Sequence, residues 1–235
     1  MKHINSNYSF EIEESNGSLV SFKKGKKQFL GQGQVADLFV MRFRNSAGAP
    51  FLVPSTNAGS VIVQKNDQGS EVTYSLHFSD IRVSAWFTQT INATVTIRCP
   101  EDESMSYWSI STDHGHDALI DYLEYIEFPC LKLNNTLKAH GGEDELFWPF
   151  NEGCLIDDVY ARDDSPNFVY RPVEYPSGGW YGLYPGPIQM QFMALTSDDG
   201  SFYMASYDGE GHPKVKSTGV GVVHGTPQNL SSNRL

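Results

Sequence analysis

The sequence predicts an all-β protein, a large antiparallel β-sandwich, on three observations. Apolar residues recur with period two along most of the chain. Runs of Gly, Asn, Asp and Ser interrupt that period where hairpins would turn. Almost nothing in the chain reads as helix.

Tyr8, Phe10 and Ile12 alternate as one strand, and Ser15-Asn16-Gly17 turns the chain into a second over Leu19 to Phe22. Lys23, Lys24, Lys26 and Lys27 flank Gly25 and read as a solvated turn. Leu38 to Arg44 is the next strand, closed by Asn45-Ser46-Ala47-Gly48. Asn66-Asp67-Gln68-Gly69 separates Val61 from a strand of Val72, Tyr74, Leu76 and Phe78, and Ile81, Val83, Ala85 and Phe87 make another. Thr94 to Arg98 and Tyr107 to Ser111 continue the series.

The segment from Ile120 to Phe128 fits two periods. Leu119, Tyr122, Leu123 and Ile126 share a helical face, while Ile120, Tyr122, Ile126 and Phe128 share a strand face interrupted by Glu124. Aromatic and β-branched content and the following Pro129 favour the strand. Gln189 to Thr196 and Phe202 to Tyr207 form a hairpin around Asp198-Asp199-Gly200, and Val215 to Val223 is a last strand. About a dozen strands with so little helix are best buried as two sheets face to face, their alternate residues sharing one apolar layer.

Between Asn134 and Gly186 the period fails. Gly141-Gly142-Glu143-Asp144-Glu145, Trp148-Pro149, Asp157-Asp158, Asp163-Asp164 and Pro176-Ser177-Gly178-Gly179-Trp180-Tyr181 read as one long loop, a feature that is often functional in a compact domain. Residues 1–225 read as a single sandwich domain and 226–235 as a flexible tail.

The 235 residues carry 28 acidic and 17 basic side chains, a formal net charge of −11. Tracking a polyanion needs clustered Lys and Arg, which one lysine-rich turn does not supply, so nucleic acid is not an expected partner. At 40% hydrophobic and 19% charged residues the chain is too apolar to be disordered. No apolar run approaches the roughly 20 residues of a membrane helix, and Met1 to Phe10 lacks the apolar core of a secretory signal. Cys99, Cys130 and Cys154 are an odd number without close pairing, as expected of reduced thiols. These features favour a cytoplasmic protein, or a trimmed form of a longer one.

One ordered set of motifs occupies the second half: Glu127-Phe128-Pro129-Cys130-Leu131, then Asp144-Glu145-Leu146-Phe147-Trp148-Pro149-Phe150-Asn151-Glu152-Gly153, Tyr184-Pro185-Gly186, Met190-Gln191-Phe192-Met193-Ala194-Leu195, and Phe202-Tyr203-Met204-Ala205-Ser206-Tyr207-Asp208 ahead of Lys214. Together they resemble the N-terminal domain of a group of large glycoside hydrolases. In that group a galactose-mutarotase-like β-supersandwich precedes a (β/α)8 barrel related to α-galactosidases and endo-α-N-acetylgalactosaminidases. Gly17-Ser18-Leu19 is similar to the domain's first hairpin. Those enzymes are expected to keep their catalytic carboxylates in the barrel, and nothing barrel-like follows Val223. The resemblance therefore implies a non-catalytic accessory domain that packs on a barrel, in cis or in trans, and helps to line its cleft.

Sugar sites pair aromatic faces, which stack on the C–H face of a pyranose, with carboxylates and amides that take its hydroxyls. Trp148, Trp180, Tyr181 and Tyr184, with Asp157, Asp158, Glu174 and Gln189, are the candidate carbohydrate contacts. The alternative is that Trp148 and Tyr184 merely pack the loop onto the sandwich. Glycoside hydrolysis needs two carboxyl groups about 5–10 Å apart, one with a raised pKa, and tandem acids such as Asp157-Asp158 do not meet that need by adjacency. No catalytic residue is assigned.

His114 and His116, set among Asp113 and Asp117, lack a third ligand, and neither a metal nor a cofactor is expected. An aldose 1-epimerase, using His114 or His116 with Glu174, and a lectin-like glycan-binding module are the alternative functions. Asp208 and Lys214 bracket a loop that an ion pair could close. Gly31-Gln32-Gly33 is better explained as a turn than as a phosphate cradle.

Overall fold

The computed structural model describes residues 1–30, 37–45, 48–83, 90–113, 121–131, 145–149, 153–157, 180–184, 189–196, 200–207 and 214–218. The protein is all-β, built of antiparallel sheets in the manner of a β-sandwich, and its described helical structure is a single 3-10 turn, Ser55–Asn57. The chain divides into two compact units, residues 1–133 and 134–234.

In the first unit, β1 (Lys2–Ile4), β2 (Ser9–Ile12), β3 (Leu19–Lys24) and β4 (Lys27–Gln28) form a meander in chain order. A second meander joins β7 (Ser60–Asp67), β8 (Glu71–Arg82), β9 (Thr90–Pro100) and β10 (Tyr107–Asp113). A three-stranded sheet places β5 (Val40–Asn45) between β6 (Pro50–Pro54) and β11 (Asp121–Glu127). Side chains of all three meet in one core that includes Phe10, Ile12, Leu19, Met41, Phe43, Leu76, Phe78, Val95 and Ile97. Each of these large side chains contributes about 1.5–3 kcal/mol by leaving water.

The turns obey the expected chemistry. Gly25, Gly48 and Gly69 take positive φ at the β3–β4, β5–β6 and β7–β8 turns, which leaves Lys24 and Lys26 exposed as read from sequence. Gly17 does more than turn the chain. Its φ is +71°, and a Cβ there would stand 2.4 Å from Phe78 Cζ, so only glycine lets the β2–β3 turn lie on the β8 core.

β8 corrects one boundary. Val72 to Phe78 and the start of the next expected strand, Ile81, belong to one continuous strand whose buried positions change from even to odd numbers, and Ala85 and Phe87 lie outside the described residues. A bulge between Phe78 and Ile81 accounts for the change, with Asp80 at φ +55° and its N–H donating to Asn92 Oδ1 at 3.2 Å. An extra residue reverses the inward parity, and Asp tolerates the left-handed conformation. The same device settles the ambiguous segment, since β11 shifts register between Leu123 and Tyr125, at the Glu124 that interrupted its strand face.

The second unit contains β12 (Glu145–Trp148), β13 (Cys154–Asp157), β15 (Phe192–Thr196) and β16 (Phe202–Ala205), in the order β13-β12-β15-β16, and a separate ribbon of β14 (Trp180–Tyr184) with β17 (Lys214–Thr218). β12, β13 and β14 fall in the stretch read as one long loop. They are only four or five residues long, too short for a visible period. β12 and β14 also pair with strands distant in sequence, β15 and β17.

Candidate functional site

Six of the eight candidate carbohydrate contacts fall among the described residues. Trp148 ends β12 opposite Cys154, whereas Asp157 lies at the other end of the same hairpin, opposite Glu145. Three residues of strand separate those ends, about 10 Å. Gln189 is exposed, and its backbone N–H donates to Pro149 O at 3.0 Å. That bond brings Gln189 to the Trp148 end of the sheet. Trp180, Tyr181 and Tyr184 belong to the β14–β17 ribbon, paired with Thr218, Ser217 and Lys214. Positions 180 and 184 share one face of that ribbon and position 181 belongs to the other. Asp158 and Glu174 lie outside the described residues, as do His114, His116, Asp208 and Gly31 to Gly33.

The β13-β12-β15-β16 sheet organises other aromatics. Leu146, Met193 and Leu195 are buried on one face. The opposite face carries a direct cross-strand row of Leu155, Phe147, Ala194 and Tyr203. Leu155 is 57% and Tyr203 47% exposed. Phe192, two residues from Ala194, stacks on Phe147 with centroids 5.2 Å apart and planes 6° from parallel. It also meets Tyr203 at 5.5 Å.

One step along the same face, Asp157, Glu145 and Thr196 are aligned across three strands. Thr196 Oγ1 donates to the Glu145 backbone carbonyl at 3.4 Å and lies 3.5 Å from its carboxylate. Gly153 makes room for the first ring, because a Cβ there would stand 3.0 Å from Phe147 Cζ. Partial burial and the neighbouring Tyr207 phenol raise the Tyr203 hydroxyl above its ordinary pKa.

Phe147, Phe192 and Tyr203 were not among the candidates. Their signal in the sequence is Phe192-Met193-Ala194-Leu195, apolar at both parities. A strand with one solvated face alternates instead.

Three titratable groups of the first unit, His3, Tyr74 and Cys99, are enclosed. His3 is 3% exposed, its Nδ1 lies 3.2 Å from Tyr74 Oη, and its Nε2 has no hydrogen-bond partner. Burial holds its pKa below the ordinary value, with the Glu101 carboxylate pulling the other way. Burial also pushes the Cys99 thiol up to about 11 and the Tyr74 phenol up to about 12, which disfavours the Cys99 thiolate. Cys130 is half-buried, its Sγ 3.4 Å from Glu127 O. Among the described residues no group of three His, Cys, Asp or Glu could hold a metal ion, and no helix is long and apolar enough to cross a membrane.

No protein-family model matches the chain, and no curated protein matches it. Solved structures do. The alpha-N-acetylgalactosaminidase NagBb from Bifidobacterium bifidum, in its GalNAc complex, superposes with a TM-score of 0.58 at 12% identity. In its Gal-NHAc-DNJ complex the TM-score is 0.56, again at 12% identity. Each match covers 86% of this chain and 28% of the enzyme. At that identity the likeness is one of fold, and this chain spans little more than a quarter of the protein it resembles. The fold is thus shared with part of a glycoside hydrolase.

Proposed function

We propose that this chain is a non-catalytic, carbohydrate-contacting module of a glycoside-hydrolase-like protein. In this reading it is a galactose-mutarotase-like β-sandwich that packs on a (β/α)8 catalytic barrel, in cis or in trans, and helps to line its cleft. One observation carries the reading: 86% of the chain superposes on 28% of an α-N-acetylgalactosaminidase. The ordered motifs from Phe128 to Lys214 support it independently.

The test is the size and activity of the native product. An antibody against this chain should detect a band several times heavier than 26.2 kDa, or a 26.2 kDa band co-purifying with a barrel protein. The chain alone should leave aryl α-galactosides and aryl α-N-acetylgalactosaminides uncleaved. A solitary 26.2 kDa product that hydrolyses either substrate overturns the proposal.

A further inference from the structure

We propose that β1 is a pH-operated strand: protonation of His3 releases β1 from β2 while the rest of the first unit stays folded.

The strand hangs on one side chain. β1 is three residues long and pairs with β2 alone among the described strands. Lys2 and Ile4 are exposed, so His3 is the residue that β1 buries. It stands opposite Phe10, and its imidazole stacks on the Phe10 ring with centroids 5.1 Å apart. The Tyr8 ring lies 5.5 Å away, and Tyr74 meets the imidazole edge-on at 5.7 Å. Main-chain bonds flank this contact, from Ile12 N–H to Met1 O at 2.9 Å and from Asn5 N–H to Tyr8 O at 3.1 Å. A short edge strand with one buried side chain opens at lower cost than the long strands β8 and β9, which carry most of the core.

The surroundings of His3 suit a neutral ring and not a cation. Nδ1 lies 3.2 Å from Tyr74 Oη, whereas Nε2 is buried without a partner. An imidazolium donates from both nitrogens, so protonation adds an unanswered N–H and a charge out of water. Few neighbouring charges offset that cost. Burial raises the Tyr8 and Tyr74 phenols and the Cys99 thiol, which keeps all three neutral near pH 7. The Glu101 carboxylate favours the cation, and Lys65, paired with Asp67 at 2.9 Å, opposes it. On β1 itself Lys2 stands opposite Glu11.

Burial outweighs the Glu101 carboxylate and holds His3 below its ordinary 6.5. Release returns the ring to water and to that ordinary value, so the open form takes up the proton first. Opening is therefore rarest above pH 6.5 and rises as the pH falls toward the lowered value, by at most about tenfold per pH unit for one proton.

Amide hydrogen exchange on the full chain, followed by NMR from pH 7.5 to 5 and corrected for the intrinsic pH dependence of exchange, tests the release. The opening constants of the Asn5 and Ile12 amides should exceed those of β8 and β9 amides about a hundredfold or more at every pH, the mark of local opening. They should also rise about threefold or more between pH 7.5 and 5.5. His3→Phe, which keeps a ring but cannot titrate, should retain the gap and abolish the rise.

Opening constants for Asn5 and Ile12 equal to those of β8 and β9 overturn the proposal, because β1 would then leave only with global unfolding. A flat pH dependence in the parent overturns it, as does an equal rise in His3→Phe. Should His3→Phe fail to fold, the His3 Cε1–H resonance of the parent decides: a midpoint below 6.5 supports the release, and one at or above 6.5 overturns it.

Discussion

The β7–β10 sheet and the β13-β12-β15-β16 sheet have the same plan, four antiparallel strands with one face buried, yet they turn different chemistry outward. On the first, Gln64, Ser75, Thr96 and Ser109 stand directly opposite one another, flanked by an Asn66, Thr73, Arg98 and Tyr107 row in which Arg98 makes two bonds to Glu71 at 3.0 and 2.7 Å. On the second the corresponding row is Leu155, Phe147, Ala194 and Tyr203. Folding dictates the inward chemistry of both sheets, because each must exclude water. It leaves the outward chemistry almost free, since a hydroxyl there serves as well as a ring. The first sheet's outward face is mostly hydroxyl and charged groups, with Ile62 and Tyr107 among them, and the second's carries Leu155 and Tyr203 exposed, a difference that folding alone does not require.

The comparison can be broken at four points. Phe78→Ala should show the largest effect, since Phe78 is fully buried and meets Phe39 edge-on at 4.9 Å. Chemical denaturation should show a loss of about 3–5 kcal/mol. A loss below about 1 kcal/mol would mean that the inward face is not the seat of stability.

Phe192→Ala removes two ring contacts on an outward face. A loss of about 1–3 kcal/mol is expected, because each aromatic pair contributes about 0.5–1.5 kcal/mol beyond its burial. A loss as large as that of Phe78→Ala would make this face a second core.

The third point is pH. The His3 pKa is lowered in the folded protein from an ordinary value of 6.5, so the unfolded chain binds that proton more readily. Stability should be full above that value and fall as pH drops through it toward the lowered one, with a slope of at most about 1.4 kcal/mol per pH unit. His3→Gln should flatten the slope in denaturation curves taken from pH 7.5 to 5. An equal slope in parent and variant would assign the acid sensitivity to other groups.

Thr96→Ala should have the smallest effect, within about 0.5 kcal/mol, as for other half-exposed surface positions. A loss above about 1.5 kcal/mol would show that the hydroxyl face is itself structural, and the two outward faces would no longer contrast.

Local pattern made most of the first unit legible. Tyr8, Phe10 and Ile12, the glycines at 17, 25, 48 and 69, and the alternation of β8 and β9 were readable because neighbours in sequence decide them. The bulge at Asp80 was not, since a one-residue parity change looks the same as a break between strands. Aromatics and acids were sought where the period failed; of these, Trp148 and Asp157 lie on the β12–β13 hairpin and Trp180, Tyr181 and Tyr184 on the β14–β17 ribbon. Phe147, Phe192 and Tyr203 sit on short strands whose apolar residues fall at both parities, so residue type alone does not tell which of them face inward.

The sequence by itself determined the all-β class, the turn positions and most of the first unit's strands, because period and turn chemistry act over two to five residues. The pairing of β12 with β15 and of β14 with β17, and the alignment of Phe147, Ala194 and Tyr203 across three strands, were decided by tertiary structure alone. Register between strands some thirty to fifty residues apart depends on which faces can be buried together. No local pattern carries that information.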